Sequence, residues 1–190
     1  MGQTNQKRTL KALLQMTEGT PFLQFAGISG STAVSDVAIT GNYAGGAVEF
    51  SIIAQPGEVI NIHSMNVLIE APSVIRADVY GSDVALTNGI LMQIKNGAGV
   101  VLSDLLGAHP ITSNAAWSAH ADQLDVHSFG AGNNFIAVRW TSASTGGRGI
   151  VLDSREDAYL AVTVNDDLSD LVDHHVKFGG YRQAVPGVGL

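Results

Sequence analysis

The chain has 190 residues, of which 45% are hydrophobic and only 14% charged, with 22 glycines and a net charge of −7. That length suits one domain with a substantial core and a short appendage, and the composition is that of a turn-rich globular chain, not a disordered one. Cysteine is absent, which excludes disulfides, thiolate metal sites and cysteine nucleophiles, and no apolar run approaches the ~20 residues that a membrane-spanning helix needs.

The first element reads as a short N-terminal helix. "TNQKRTLKALLQM", residues 4–16, offers Thr4 or Asn5 as a cap and sets Leu10, Leu13 and Leu14 on one side, with Gly19 and Pro21 to end it. Such a helix is too short to be stable alone in water, so its leucine stripe is expected to dock on the body or on another subunit. Lys7, Arg8 and Lys11 precede every acidic residue, leaving residues 12–190 with seven basic against seventeen acidic side chains, a balance of −10. A body this acidic lacks the clustered cations that phosphate backbones require, so no nucleic-acid partner is expected. The N-terminus also lacks the apolar stretch and cleavage site of a secretory signal, and neither a membrane partner nor export by that route is expected.

Residues 20–46 are rich in Gly, Ser, Thr and Ala and read as an extended arm with room for one short strand; Phe22 and Phe25 are its few large side chains. With the helix they form an expected N-terminal unit, 1–46, ahead of a β-sandwich body, 47–190. The residues expected to meet a partner are Lys7, Arg8, Leu10, Lys11, Leu13, Leu14, Phe22 and Phe25.

Beyond Gly46 a period of two takes over. Val48, Phe50 and Ile52 alternate with Glu49 and Ser51, and the strand ends at the turn "QPGE". In "VINIHSMNVLIEA", residues 59–71, Ile60 and Ile62 share one face while Met65, Val67 and Ile69 have the opposite parity, which a bulge near His63 and Ser64 would reconcile. Further strands are expected at about 74–80, 90–95, 100–105, 123–128, 135–142, 149–153, 158–164 and 174–181. Turn chemistry separates them at "TNG", "NGAG", "GAGNN" and "STGGRG". About ten short strands without alternating helices predict an all-β fold, an antiparallel two-sheet sandwich with the jelly roll as the expected version. Ile136, Val138 and Trp140, Leu160, Val162 and Val164, and His174, Val176 and Phe178 are its expected core, the last two sets flanking a C-terminal hairpin.

Candidate chemistry concentrates in "NDDLSDLVDHH", residues 165–175. An EF-hand loop counted from Asn165 would need glycine at Asp170 and glutamate at Val176, so that pattern fails. His174 and His175, adjacent on a strand, point to opposite faces and cannot share one zinc. In "HADQLDVH" His120 and Asp122 share one face, and Asp125 and His127 the other. "GISGS" is not a nucleophile elbow, and "GAGNNF" lacks the third glycine of a dinucleotide fingerprint. The expectation is therefore of no catalytic residue, no metal and no cofactor, with Leu168, Leu171 and Val172 closing one end of the sandwich as a capped turn.

The succession "PGEVINIHSMNVLIE", "LTNGI", "FIAVRWTSA" and "GIVLDSREDAYLAVTVNDDLSDLVDHHVKFGGY", spanning residues 47–181, resembles small virion structural proteins of tailed bacteriophages. The resemblance implies a non-enzymatic capsid decoration or cement protein that bridges capsid subunits, or else a neck or tail adaptor. More remote is a carbohydrate-binding or receptor-binding module. It further implies the major capsid protein or neck and tail proteins as partners, a homo-oligomer (dimer or trimer), and location in the virion after assembly in the host cytoplasm.

Overall fold

Two antiparallel sheets pack against one another in the computed structural model, which describes residues 19–29, 32–35, 38–41, 47–71, 90–105, 123–128, 134–165 and 173–185. The seven-stranded sheet runs in the order β2 (Thr32–Ser35), β1 (Thr20–Ser29), β12 (Asp173–Ala184), β5 (Glu58–Ala71), β9 (Asn134–Thr141) and β8 (Gln123–Ser128). Here β10 (Ile150–Asp153) continues the line of β9 along the first residues of β5. The five-stranded sheet runs β3 (Ala38–Thr40), β4 (Val48–Ile53), β11 (Ala158–Val164), β6 (Ile90–Asn96) and β7 (Val101–Asp104). Among the described residues the one helical element is a 3-10 turn, Ser142–Thr145, which Thr141 caps by accepting from the Ala143 N–H. The expected N-terminal helix and the strand at 74–80 lie outside the described residues.

The strand pairing is nested. β1 pairs with β12, β4 with β11, β5 with β9 and β6 with β7, and successive pairs alternate between the two sheets. Among the described strands these four pairs lie one inside the next along the sequence, and the apolar faces of the two sheets meet between them.

Residue parity dictates that closure. Val48, Phe50 and Ile52 face Leu160, Val162 and Val164 along the β4–β11 pair, and all six are at most 2% exposed. From the other sheet Ala26, Ile28, Val176 and Phe178 point back at them, and the His174 ring meets Phe50 edge-on across the gap at 5.4 Å. Each fully buried Phe or Ile contributes roughly 1.5–3 kcal/mol of transfer free energy, so this cluster is the principal stabilising element. Trp140 and Phe22 pack half-buried on its margin. The side chains of Ile136 and Val138 lie outside what is described.

In β5, Ile60 and Ile62 are buried, and so are Met65 and Val67. A strand of strict period two cannot present both pairs to one side. The pairing with β12 shows why it does so here: Gly180 opposes Ile62 and Gly179 opposes Ser64, so His63 is the extra residue of a bulge. Glycine is required at the crossing, because a Cβ on Gly180 would stand 2.0 Å from the Asn61 carbonyl oxygen.

Two expectations are revised. Residues 20–40, read as an arm, contribute β1, β2 and β3, with β1 pairing through ten residues to β12. Large apolar side chains occupy both parities of β1, with Phe22 and Ile28 inward and Leu23 and Phe25 outward, so no period of two announced the strand. Likewise β11 and β12 belong to different sheets and are not the two strands of one hairpin; the capped turn expected at Leu168, Leu171 and Val172 lies outside the described residues.

Candidate functional site

Of the residues expected to meet a partner, Lys7, Arg8, Leu10, Lys11, Leu13 and Leu14 lie outside the described residues. Phe22 and Phe25 sit on β1 with opposite orientations. Phe22 packs at the core margin beneath the Arg182 guanidinium, 4.8 Å above its ring, and Arg182 reaches Glu58 at 3.7 Å. Phe25 lies on the outer face, edge-on to His175 at 4.9 Å. The structure therefore does not bring these two aromatics together.

The histidine pair is separated as strand parity demands. His174 is 1% exposed in the core, whereas His175 is half-buried on the outer face. Burial, and secondarily the charge of His175, hold the His174 imidazole down at about 3, far below its ordinary 6.5. Asp166, Asp167 and Asp170 lie outside the described residues, as do His120 and Asp122, and no cluster of potential metal ligands occurs among the described residues.

Sequence reading missed a histidine–serine contact. His63 is lifted out of line by the β5 bulge, and its Nδ1 lies 2.9 Å from Ser142 Oγ at the start of the 3-10 turn, with Tyr181 edge-on at 5.6 Å. The spacing matches that of a nucleophile and its base, but among the described residues no carboxylate orients the other ring nitrogen. The contact acts as a strut that ties the β9–β10 turn to the bulge. Only the pairing register, and no local motif, joins residues 79 apart in sequence.

The most developed polar arrangement is on the outer face of the five-stranded sheet. Three rows cross it: Ile53, Tyr159, Lys95 and Val101; Ser51, Ala161, Gln93 and Asp104; and Glu49, Thr163 and Leu91. Glu49 Oε2 accepts from Lys95 Nζ at 2.5 Å and from Thr163 Oγ1 at 3.3 Å. Because Ala161 carries only a methyl between those rows, Lys95 can lean across β11, and Tyr159 along it, to the carboxylate. The Tyr159 phenol is pushed up from its ordinary range, chiefly by burial, then by the Glu49 charge, with Lys95 opposing and the hydrogen bond to Glu49 adding to the rise. Gln93 Nε2 donates to Asp104 Oδ2 at 3.3 Å in the middle row. Beside this network lies a groove of about 450 Å³, bounded by β3, β4, β11, the Gly97 turn and, from the seven-stranded sheet, Gln24 of β1.

A different surface follows β7, the last strand of its sheet among the described residues. Val100, Val101 and Leu102 are 58%, 46% and 57% exposed, and Leu105 follows them at the surface. Leu102 is the extra residue of a second bulge, since Lys95 opposes Val101 while Ile94 opposes Ser103. Asn96 fixes the preceding turn, its side-chain oxygen accepting from the Ala98 and Val100 N–H groups at 3.1 and 2.9 Å. The hairpin thus carries an apolar strip on a strand that, among the described residues, ends its sheet, the usual chemistry of strand-edge association.

No protein-family model, curated protein or solved structure matches the chain.

The buried histidine has a consequence for acid stability. Between pH 6.5 and about 3 the unfolded chain binds a proton at residue 174 that the folded chain does not, so stability falls as pH drops through that window. Replacing His174 with leucine should flatten the dependence of unfolding free energy on pH by about 1.4 kcal/mol per unit near pH 5. Urea titrations of both proteins at pH 4.5, 5.5 and 7 measure this, and equal slopes would refute the assignment.

Proposed function

We propose that this chain is a non-enzymatic structural protein of a tailed-phage virion, a jelly-roll module that decorates the capsid and bridges subunits of the major capsid protein. The observation that carries the reading is the nested pairing of β1·β12, β4·β11, β5·β9 and β6·β7 across two sheets. That order is expected of a jelly roll, an architecture that serves viral capsid and lectin domains. Fold alone does not assign function. The resemblance of residues 47–181 to small phage virion proteins supplies the biological context.

The apolar strip of β7 supports an assembly role in a second way. Strand-edge pairing lets a neighbour add main-chain hydrogen bonds to side-chain burial, and many such contacts repeated over a shell reinforce each other. In this reading the basic, leucine-bearing segment 4–16 engages an acidic neighbour while the β7 edge joins copies of the chain into a dimer or trimer. A neck or tail adaptor would use the same surfaces at low copy number.

Two outcomes follow. Added to expanded, undecorated heads, the protein should saturate them in numbers set by the capsid subunits, as counted by quantitative mass spectrometry of purified particles. A handful of copies per particle would assign it to the neck or tail, and absence from particles of every kind would overturn the reading. Leu102→Lys should convert the oligomer to monomer in light-scattering chromatography with the circular dichroism spectrum unchanged. An oligomer that persists would remove β7 from the interface.

A further inference from the structure

We propose that the groove along β3 and β4 of the five-stranded sheet, which Gln24 of β1 also lines, binds a neutral saccharide. The inference stands apart from the capsid reading, since a shell component and a soluble module could carry the same groove. Its volume of about 450 Å³ lies within the ordinary range for small-ligand sites.

The lining sets the ligand class by charge. Among the described residues Glu49 is the one charged member of the lining, and its carboxylate is matched by Lys95 at 2.5 Å. An anionic ligand therefore finds no unpaired cation here, and a cationic one would compete with a lysine already in contact. A neutral ligand keeps both partners satisfied.

Hydrogen-bonding chemistry narrows the class further. Gln24, Thr40, Ser51, Gln55 and Tyr159 line the groove with hydroxyl and amide groups, which both donate and accept. Ligand hydroxyls do the same, so a polyol can satisfy this lining where a hydrocarbon would leave it desolvated and unpaired. Ile53, 46% exposed, lies directly across from Tyr159 in the pairing of β4 and β11. Together the isoleucine and the phenol ring offer an apolar strip of the kind that the C–H face of a pyranose covers.

The site is also held in place. Glu49, Ser51 and Tyr159 stand on two adjacent inner strands whose opposite faces are fully packed in the core, and Thr163 and Lys95 fix the carboxylate. Little side-chain ordering is left to oppose binding.

The test is a glycan array carrying neutral hexose and N-acetylhexosamine oligosaccharides beside sialylated and sulfated ones, followed by calorimetry with the best neutral binder. Binding to neutral members is expected. Gln55→Ala, an exposed and structurally mild change, should weaken it about fivefold, the worth of one ordinary hydrogen bond. Ser51→Phe should fill the groove and abolish it, and Val151→Ser, at an exposed position of β10 on the other sheet, should leave it unchanged, with urea unfolding used to verify that each variant is folded. No neutral ligand on the array, a preference for acidic ones, or affinity that survives both groove substitutions would overturn the proposal.

Discussion

The bulge at His63 is the constraint on which the rest of this structure depends. β5 runs through the middle of the larger sheet, pairing with β12 on one side and with β9 and β10 on the other. Its two apolar halves have opposite parity, so without one extra residue either Ile60 and Ile62 or Met65 and Val67 would face water. The bulge turns all four inward, and Gly180 on β12 gives the β5 backbone space to pass. The same displaced residue places His63 against Ser142, which anchors the turn leading into β10. Core continuity and the course of the β9–β10 connection thus follow from a single irregularity.

Much of this was legible in the sequence. The parity break in "VINIHSMNVLIEA" located the bulge at His63 and Ser64, and the alternation of Leu160, Val162 and Val164 marked β11 from Ala158 to Val164. "QPGE" and "NGAG" are turns, with Gly57 and Gly99 at positive φ. What local pattern could not supply was long-range pairing. β1 has apolar residues on both faces because the outer one carries Leu23 and Phe25, and its strand character comes from β12, more than 140 residues later. Parity also says which way a side chain points, but not which sheet a strand joins. For that reason β11 and β12 read as a hairpin although they face each other across the core.

The polar groups escaped sequence reading for the same reason. Glu49, Lys95, Tyr159 and Thr163 come from three strands, and the contacts of Glu49 span 46 and 114 residues. No spacing rule connects them. The conspicuous run of aspartates and histidines illustrates the converse: its adjacent histidines diverge, one into the core against Phe50 and the other onto the outer face beside Phe25. In this fold, the Glu49 network lies on the outer face of a sheet whose other face packs in the core.

The most direct test of the central claim is the unfolding free energy of Gly180→Ala, measured in urea. In open space, replacing a strand glycine with alanine stabilises by about 0.4–1 kcal/mol through the unfolded chain. Gly180 does not have a positive φ, so it is the β5 backbone, with the Asn61 carbonyl oxygen at 2.0 Å and the Ile62 Cα at 2.9 Å from the added Cβ, that opposes the change. The account predicts a loss of about 1–3 kcal/mol, because the bulge cannot accommodate the methyl without moving a strand that the core holds on both sides. A gain in stability would contradict it.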